Sequence, residues 1–406
     1  MSPPSRLKGE YRSAQHEGAP LSADTFLGFE RPDGSVGVRN NVGVLSLMDN
    51  SNPIVRQIVA LVHGTVPITT LFVRGQYGRD LQITYDTMVG QALNPNLAAI
   101  VVIGLEPKGT KLVVDRIRAG GKPVSSVVVQ EVGGTLTAVA EGARLAARYV
   151  REASRLRRTP QPLSRLRVGL ECGGSDTTSG LASNPAIGHA ADRLVAAGAQ
   201  VIISETLEFL GGEHLFARRA TDPAVGQRFL EAVRRLEAEA LARGVDLTGV
   251  NPAPDNIRGG LTTIEEKALG AIAKSGSTPL VEVLSYGQPP TRPGLSFMDT
   301  PAPAVESLTA FAAGGAQLAL FSTGVGNPVG NPIMTSVKIT ANPHTARDFA
   351  DNVDGDISGI LTAGLSVQDA GDILFDIVLD AASGTLTTAE ILGQQETAIS
   401  RFEPSS

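Results

Sequence analysis

The chain has 406 residues, 19% of them charged, with a formal net charge of −6 and a pI near 5.5. That balance excludes the basic excess that drives phosphate-backbone binding, so no nucleic-acid partner is expected, while a local positive pocket for an acidic substrate stays compatible with it. A single cysteine, Cys172, excludes an intramolecular disulfide and a cysteine-only metal site.

Residues 1–27 form a polar segment, broken by prolines and charges, with no apolar stretch that reads as a signal peptide. No apolar run elsewhere is long enough for a membrane span, and a cytoplasmic, membrane-free protein is expected. From Gly37 onward, β-rich apolar runs alternate with helical patterns. Strands are expected at Val42–Leu47, Ile68–Val73, Ala98–Ile103 and Ser125–Gln130, with helices near Pro53–Val62, Leu81–Leu93 and Leu112–Ala119. Near-continuous apolar strands require cover on both faces, which predicts a parallel sheet.

A long helix from about Leu136 to Arg155 gives way to Arg158-Thr159-Pro160-Gln161-Pro162, whose prolines favour a linker. The reading is therefore an α/β protein of two lobes with largely parallel sheets covered by helices: 28–156, a linker at 157–165, and 166–406. In the second lobe, strands are expected at Leu166–Leu170, Gln200–Ile203, Leu280–Leu284, Leu318–Phe321 and Val337–Thr340. A helix starts at Asn184-Pro185, with asparagine as the cap and proline at the first helical position, and another spans Val225–Arg243. Most candidate loops follow these strands, at the edge where open α/β sheets bind ligands.

Four loops carry candidate chemistry. In the first, Glu171-Cys172-Gly173-Gly174-Ser175-Asp176, paired glycines permit close ligand approach, and amides with nearby hydroxyls can hold a carboxylate. Cys172 is either a nucleophile or a small buried cysteine. The segment lacks the lysine ending of a phosphate-binding loop, so no nucleotide cofactor is expected. In the second, Glu205 and Glu208 with His214 bind a divalent ion or move protons, or else His214 starts a solvent-facing helix. The third contains Arg258 and Lys267, which suit an acidic substrate, while Thr262 or Thr263 with a carboxylate three residues on forms a helix cap. The fourth pairs Asp299, a ligand or a turn acid, with the loop Ser322-Thr323-Gly324-Val325-Gly326.

Together these motifs resemble the altronate/galactarate dehydratase family, which includes sulfolactate sulfo-lyase large subunits. The resemblance starts at Gly28-Phe29-Glu30-Arg31-Pro32-Asp33-Gly34 and Val36–Asn40. It is strongest at Gly169–Asp176, and it continues in order through Gly259–Lys267, Phe297–Thr300 and Ser322–Gly326. It implies a metal-assisted lyase acting on a small hydroxy-carboxylic acid such as an aldonate or aldarate, with water leaving to give a 2-keto-3-deoxy acid. The alternatives are sulfite elimination, or a noncatalytic sugar-acid binding or regulatory paralogue. On this basis Asp176, Glu205, Arg258 and Lys267 are expected to be catalytic. Cys172, Gly173, Gly174, Ser175, Thr323 and Gly324 are expected to bind substrate, and Asp299, Glu208 and His214 to hold the metal (Fe²⁺, Mg²⁺ or Mn²⁺). The chain departs from the family at Gly104-Leu105-Glu106, where sugar-acid members often carry cysteine, and at Gly330-Asn331-Pro332 and Asp354–Gly359. It also lacks the small amino-terminal SAF domain of single-chain members, so a separate small SAF-domain subunit and an oligomeric enzyme are expected.

Overall fold

The computed structural model describes residues 24–71, 73–247 and 251–401. It is an α/β protein with largely parallel sheets covered by helices, as the alternating pattern predicts. Strand β1 (Thr25–Glu30) pairs antiparallel with β2 (Val36–Gly37). Strands β3 (Asn41–Ser46), β4 (Thr65–Ile68), β5 (Leu97–Gly104) and β6 (Val124–Val128) form a parallel sheet of order β4-β3-β5-β6. The expected strand at Ile68–Val73 is displaced: β4 ends at Ile68 and contains Pro67. An edge strand tolerates proline because its missing N–H need not serve a neighbour. Beyond it, Thr70 leaves the ladder and donates its hydroxyl to the Ser46 carbonyl at 3.2 Å.

The proline-rich segment after the first lobe is not a free linker, because β7 (Thr159–Pro162) pairs antiparallel with β1. Arg158 holds it there, donating to the carbonyls of Leu27 and Val38 and stacking 4.6 Å over Phe29. The Gly28–Asn40 motif is structural too. Arg31, buried, donates to Pro95 O, Asn40 Oδ1 and Arg39 O, and Arg39 forms a bidentate pair with Glu390 at 2.6 and 2.8 Å, tying the first lobe to the second.

The second sheet contains β8 (Arg167–Cys172), β9 (Gln200–Ile203), β10 (Leu280–Leu284), β11 (Gly294–Met298), β12 (Leu318–Ser322), β13 (Thr335–Thr340) and β14 (Gly355–Asp356). Its order is β10-β11-β9-β8-β12-β13-β14, and every pair is parallel. Successive strands run from β8 outward to β9 on one side and to β12 on the other. The order therefore reverses at β8, and the crevice beyond the carboxyl ends of β8 and β12 is the place where this topology binds ligands.

The helix expected to start at Asn184 starts earlier. Its first turn is at Thr177, and a widened π-type turn, Ser179–Ser183, runs directly into Asn184–Ala196. Pro185 has no N–H to donate to the preceding turn, and a widened turn accommodates that gap. Asn184 is itself helical (φ −65°), and its side-chain amide donates to Gly270 O at 3.0 Å instead of capping. This helix is covered by Val367–Ser383 and, on another side, by Ile264–Lys274.

One apolar core lies around the second sheet. Another spans both sheets, joining Leu45, Ile100 and Val102 to Ile202, Phe311 and Phe321, so the lobes share buried surface. Within the first of these, Phe209 packs against Phe216, Phe229 and Phe297 with ring centroids 4.9, 5.3 and 5.4 Å away. Burying an aromatic side chain is worth roughly 2–3 kcal/mol, which fixes the short turn Thr206–Phe209 after β9. Among the described residues no helix is long and apolar enough to cross a membrane.

Candidate active site

The crevice is built first by two adjacent strand ends. β8 ends at Cys172, and β9 leads into Glu205, the one non-glycine among the described residues with a left-handed backbone (φ 70°). Such a conformation costs roughly 1–2 kcal/mol, and Thr300 holds it in place. The Thr300 hydroxyl accepts the Glu205 N–H at 3.0 Å, and its carbonyl accepts the Thr206 N–H at 3.0 Å. The strain aims the Glu205 carboxylate back across β8, where it accepts the Cys172 N–H at 3.2 Å and lies 3.4 Å from Cys172 Sγ. Lys274, the last residue of Ile264–Lys274, completes the group by pairing with Glu205 at 2.5 Å, both side chains being 1% exposed.

Glu171, one residue before Cys172, points to the opposite face of β8, as strand alternation demands. There it accepts from the Ser307 hydroxyl, which also contacts Ser204 Oγ at 2.7 Å. Burial, and then the nearby Glu205 carboxylate, raise the Glu171 carboxyl well above the usual range. Burial and Glu205 likewise push the Cys172 thiol up, so it is a neutral S–H aimed at Glu205, not a thiolate nucleophile. Burial opposes the Lys274 ammonium, but the acidic surroundings, with the Glu205 carboxylate in direct contact, outweigh it and keep the lysine charged.

A second lysine–glutamate pair lies alongside. Lys267 meets Glu208 at 2.9 Å and is steadied by Asn251 Oδ1 at 2.6 Å and Asn256 Oδ1 at 3.1 Å. Burial raises the Glu208 carboxyl, with Lys267 working against the shift. Glu208 Oε2 is buried with no hydrogen-bond partner, and so is Asn184 Oδ1. Both residues border a small cavity of about 10 Å³ shared with Cys172, Ser175 and Lys267, roughly the space of one water.

The glycine loops have a different task from the one expected. Gly173 N–H donates to Ser322 O, and the Gly174 carbonyl accepts from both Gly324 and Val325, so these backbone groups join the two loops to each other and are not free for substrate. Thr323 Oγ1 is occupied by the Gly326 N–H. Gly324 is required by proximity: a Cβ there would lie 2.2 Å from the Asp176 carboxyl carbon. Asp176 is the helix cap, accepting from Ser179 N at 3.0 Å and Thr178 Oγ1 at 2.6 Å, while its other oxygen accepts from Asn342 Nδ2 at 2.8 Å. Its negative charge is thus committed to the helix amino terminus. Of the first loop's residues, Cys172, Ser175 and Asp176 border the cavity.

Arg258 is exposed at the end of the helix Pro254–Arg258, outside the cluster, because the chain turns there through Gly259 and Gly260 against Asp176 and Thr177. The capping reading of the next segment holds, since Thr263 Oγ1 accepts the Glu266 N–H and Glu266 accepts from Thr262. The expected metal set does not assemble. Glu208 is paired with Lys267, Asp299 with Arg235 and the Thr206 hydroxyl, and His214 is exposed. Among the described residues no group of three or more histidine, cysteine, aspartate or glutamate side chains could hold a metal ion, so the described donors by themselves do not fit one.

Sequence reasoning missed Lys274, Glu171 as an acid, Asn184 as a cavity residue, and Ser307. Lys274 had a signal: Ile264, Ala268, Ala271 and Lys274 follow helical spacing along one buried face, so a lysine stood where an apolar residue belonged. Ser307 had none, because it reaches Glu171 only through tertiary packing.

Residues 163–405 match the family model described as D-galactarate/altronate dehydratase, C-terminal, and residues 28–154 match D-galactarate dehydratase/altronate hydrolase, second domain. The chain is similar to the (2R)-sulfolactate sulfo-lyase subunit beta of Chromohalobacter salexigens, 42% identical over 95% of this chain and 100% of that one. It is also similar to the galactarate dehydratase (L-threo-forming) of Escherichia coli, 33% identical over 91% of this chain and 75% of that one. The altronate dehydratase of the same organism is 30% identical over 91% and 76%.

Proposed function

Because this chain belongs to the D-galactarate/altronate dehydratase family, we propose that it is a lyase that removes a β leaving group from a 2-hydroxy carboxylate, with Glu208 as the proton acceptor. The observation that carries this role is the buried, partnerless Glu208 Oε2 bordering the same cavity as Lys267 and Cys172. A carboxyl raised by burial is suited to general-base work nearer neutral pH. Glu208 takes the proton from the carbon beside the substrate carboxylate. The Lys267 ammonium stabilises the enediolate charge that develops there. The electron pair then expels the group on the next carbon, and the resulting enol tautomerises to a 2-keto acid. Glu205 and Lys274 lie behind, a neutral pair that keeps Cys172 in place. No step is assigned to a metal, since the donors among the described residues do not form a site for one.

For the leaving group, the observation that favours sulfite over water is end-to-end similarity to a sulfo-lyase subunit, against 75% and 76% coverage of the two dehydratases. With 2-hydroxy-3-sulfopropanoate, loss of the C2 proton and of sulfite from C3 gives pyruvate. Since that relative is named a beta subunit, we also propose that this chain works with a second, smaller subunit. The cavity holds only about one water, so substrate access requires the segment around Leu261–Lys267 to move or to be repositioned by that partner.

The test incubates the purified chain, with and without the product of a neighbouring small-subunit gene, with sulfolactate, aldonates and aldarates in deuterated water. Sulfite with pyruvate supports the sulfo-lyase reading, and a 2-keto-3-deoxy acid the dehydratase reading. Tight binding of these acids with no keto acid in any combination sinks both and leaves a binding protein.

A further inference from the structure

At the opposite edge of the second sheet, a cleft of about 750 Å³ opens between the lobes. That volume is within the range of small-molecule sites, and lobe interfaces are where such sites concentrate. Arg167 opens β8 and Gln200 opens β9, and both line this cleft. Arg167 and Cys172 terminate the same strand, so the cleft lies roughly 16 Å from the candidate active site at strand spacing.

Two arginines of this cleft make no direct ion pair among the described residues. Arg167 is largely buried, and its guanidinium donates to Gln200 Oε1 at 2.9 Å and to the Gly314 carbonyl at 2.5 Å. Arg165, also lining the cleft, donates to the Gly34 carbonyl at 2.6 Å. Neither has a carboxylate within ion-pair distance among the described residues. Of the cleft's two carboxylates, Asp86 is paired with Arg116, while Asp33 accepts from Ser35 and keeps its charge at the cleft's rim without meeting either arginine at ion-pair distance. Burial draws Arg167 down to about 10, and the Glu282 carboxylate, which makes no direct pair with it, only partly opposes this. A largely buried cation whose direct hydrogen bonds go only to neutral carbonyls is costly, and an anion in contact with it would relieve that cost. Planar guanidinium groups match the oxygens of carboxylates and phosphates.

We propose that this interlobe cleft is a binding site, separate from the active site, for a small anion bearing carboxylate or phosphate oxygens, held by Arg165 and Arg167. The full chain is titrated by calorimetry with citrate, inorganic phosphate and sulfate at constant ionic strength. One-site saturable binding of at least one anion is expected, and the preference between citrate and phosphate identifies the carboxylate or phosphate source. Arg167→Gln should weaken that binding roughly tenfold or more, the scale of one lost charge-assisted hydrogen-bond pair. Arg165→Gln, at an exposed position, provides the same readout if Arg167→Gln fails to fold. Glu208→Gln should leave the binding unchanged. The proposal is overturned if none of the three anions saturates, if the folded arginine variants bind as the wild type does, or if Glu208→Gln abolishes binding, which would put the anion in the active site. Because the readout is binding and not turnover, failure here leaves the lyase reading intact.

Discussion

Replacing Lys274 by methionine should be among the most damaging single changes in the second lobe. The ammonium and the Glu205 carboxylate are each 1% exposed and 2.5 Å apart, and Glu205 also accepts from Cys172. Removing one partner of a fully buried pair strands the other charge in a low-dielectric interior, at a cost of about 3–5 kcal/mol. Methionine nearly preserves the volume, so little of that loss arises from a cavity. The discriminating measurement is a double-mutant cycle with Glu205→Gln, followed by urea unfolding at pH 7 with circular dichroism. The glutamine keeps an acceptor for the Cys172 N–H and removes the charge, so the double variant should recover at least about 2 kcal/mol relative to Lys274→Met alone. If Lys274→Met lies within about 1 kcal/mol of the wild type, or the two changes simply add, then Lys274 is not holding a buried charge and the electrostatic account of the crevice is wrong.

Other outcomes follow from the same cluster. Glu208→Gln should lower kcat by roughly 10²–10⁴ as expected for loss of a general base, in a protein that still folds by circular dichroism but melts earlier because Lys267 loses its charged partner; turnover within a factor of two would remove Glu208 from that role. Because burial raises the Glu208 carboxyl, and the base must be ionised, kcat/KM should rise with pH along a limb above the ordinary glutamate range, and an acid limb at or below that range would contradict the assignment. The Cys172 thiol, buried and raised, should react with a thiol reagent only on unfolding, so stoichiometric labelling of native protein within minutes would count against its placement. Glu171 keeps its proton in the fold and loses it in the unfolded chain. Its contribution is therefore full below the unfolded glutamate value and is lost as pH rises toward the raised folded value, at up to about 1.4 kcal/mol per pH unit. Glu171→Gln should flatten this decline, measured as unfolding free energy from pH 5 to 8, and an unchanged slope would show that Glu171 is ionised.

Much of the fold was legible because parallel strands buried on both faces are written as apolar runs, and β3, β5, β8, β9, β10 and β12 all carry that mark. β11 carried it too, in Gly294–Met298, but the acid and threonine that follow drew attention to the segment as a loop. β1, β2 and β7 were not legible, since Thr159–Pro162 contains two prolines and becomes a strand only because β1 is beside it. The same division runs through the site. Glu205, Glu208 and Lys267 were visible as charges after strands or on a capped helix, whereas their pairing was not. The lysine that meets Glu205 is 69 residues away, and no local spacing encodes such a contact.

The glycine-rich motif shows why its residue types were easier to read than their purpose. Small residues in a polar loop are equally suited to a ligand approaching the backbone and to another loop doing so. Here the approach is made by protein: Gly259 and Gly324 each leave room that a Cβ would deny, at 2.7 Å from the Asp176 Cβ and 2.2 Å from its carboxyl carbon. Three distant motifs thereby converge on one capping aspartate, and that convergence fixes the start of the helix that carries Ser179 and Asn184 to the cavity wall. Substituting Gly324 by alanine should therefore disturb the crevice without removing any chemical group from it. A Gly324→Ala protein that unfolds early and, while folded, turns over poorly would fit this account, whereas one with wild-type stability and activity would mean that the loops do not meet as tightly as described.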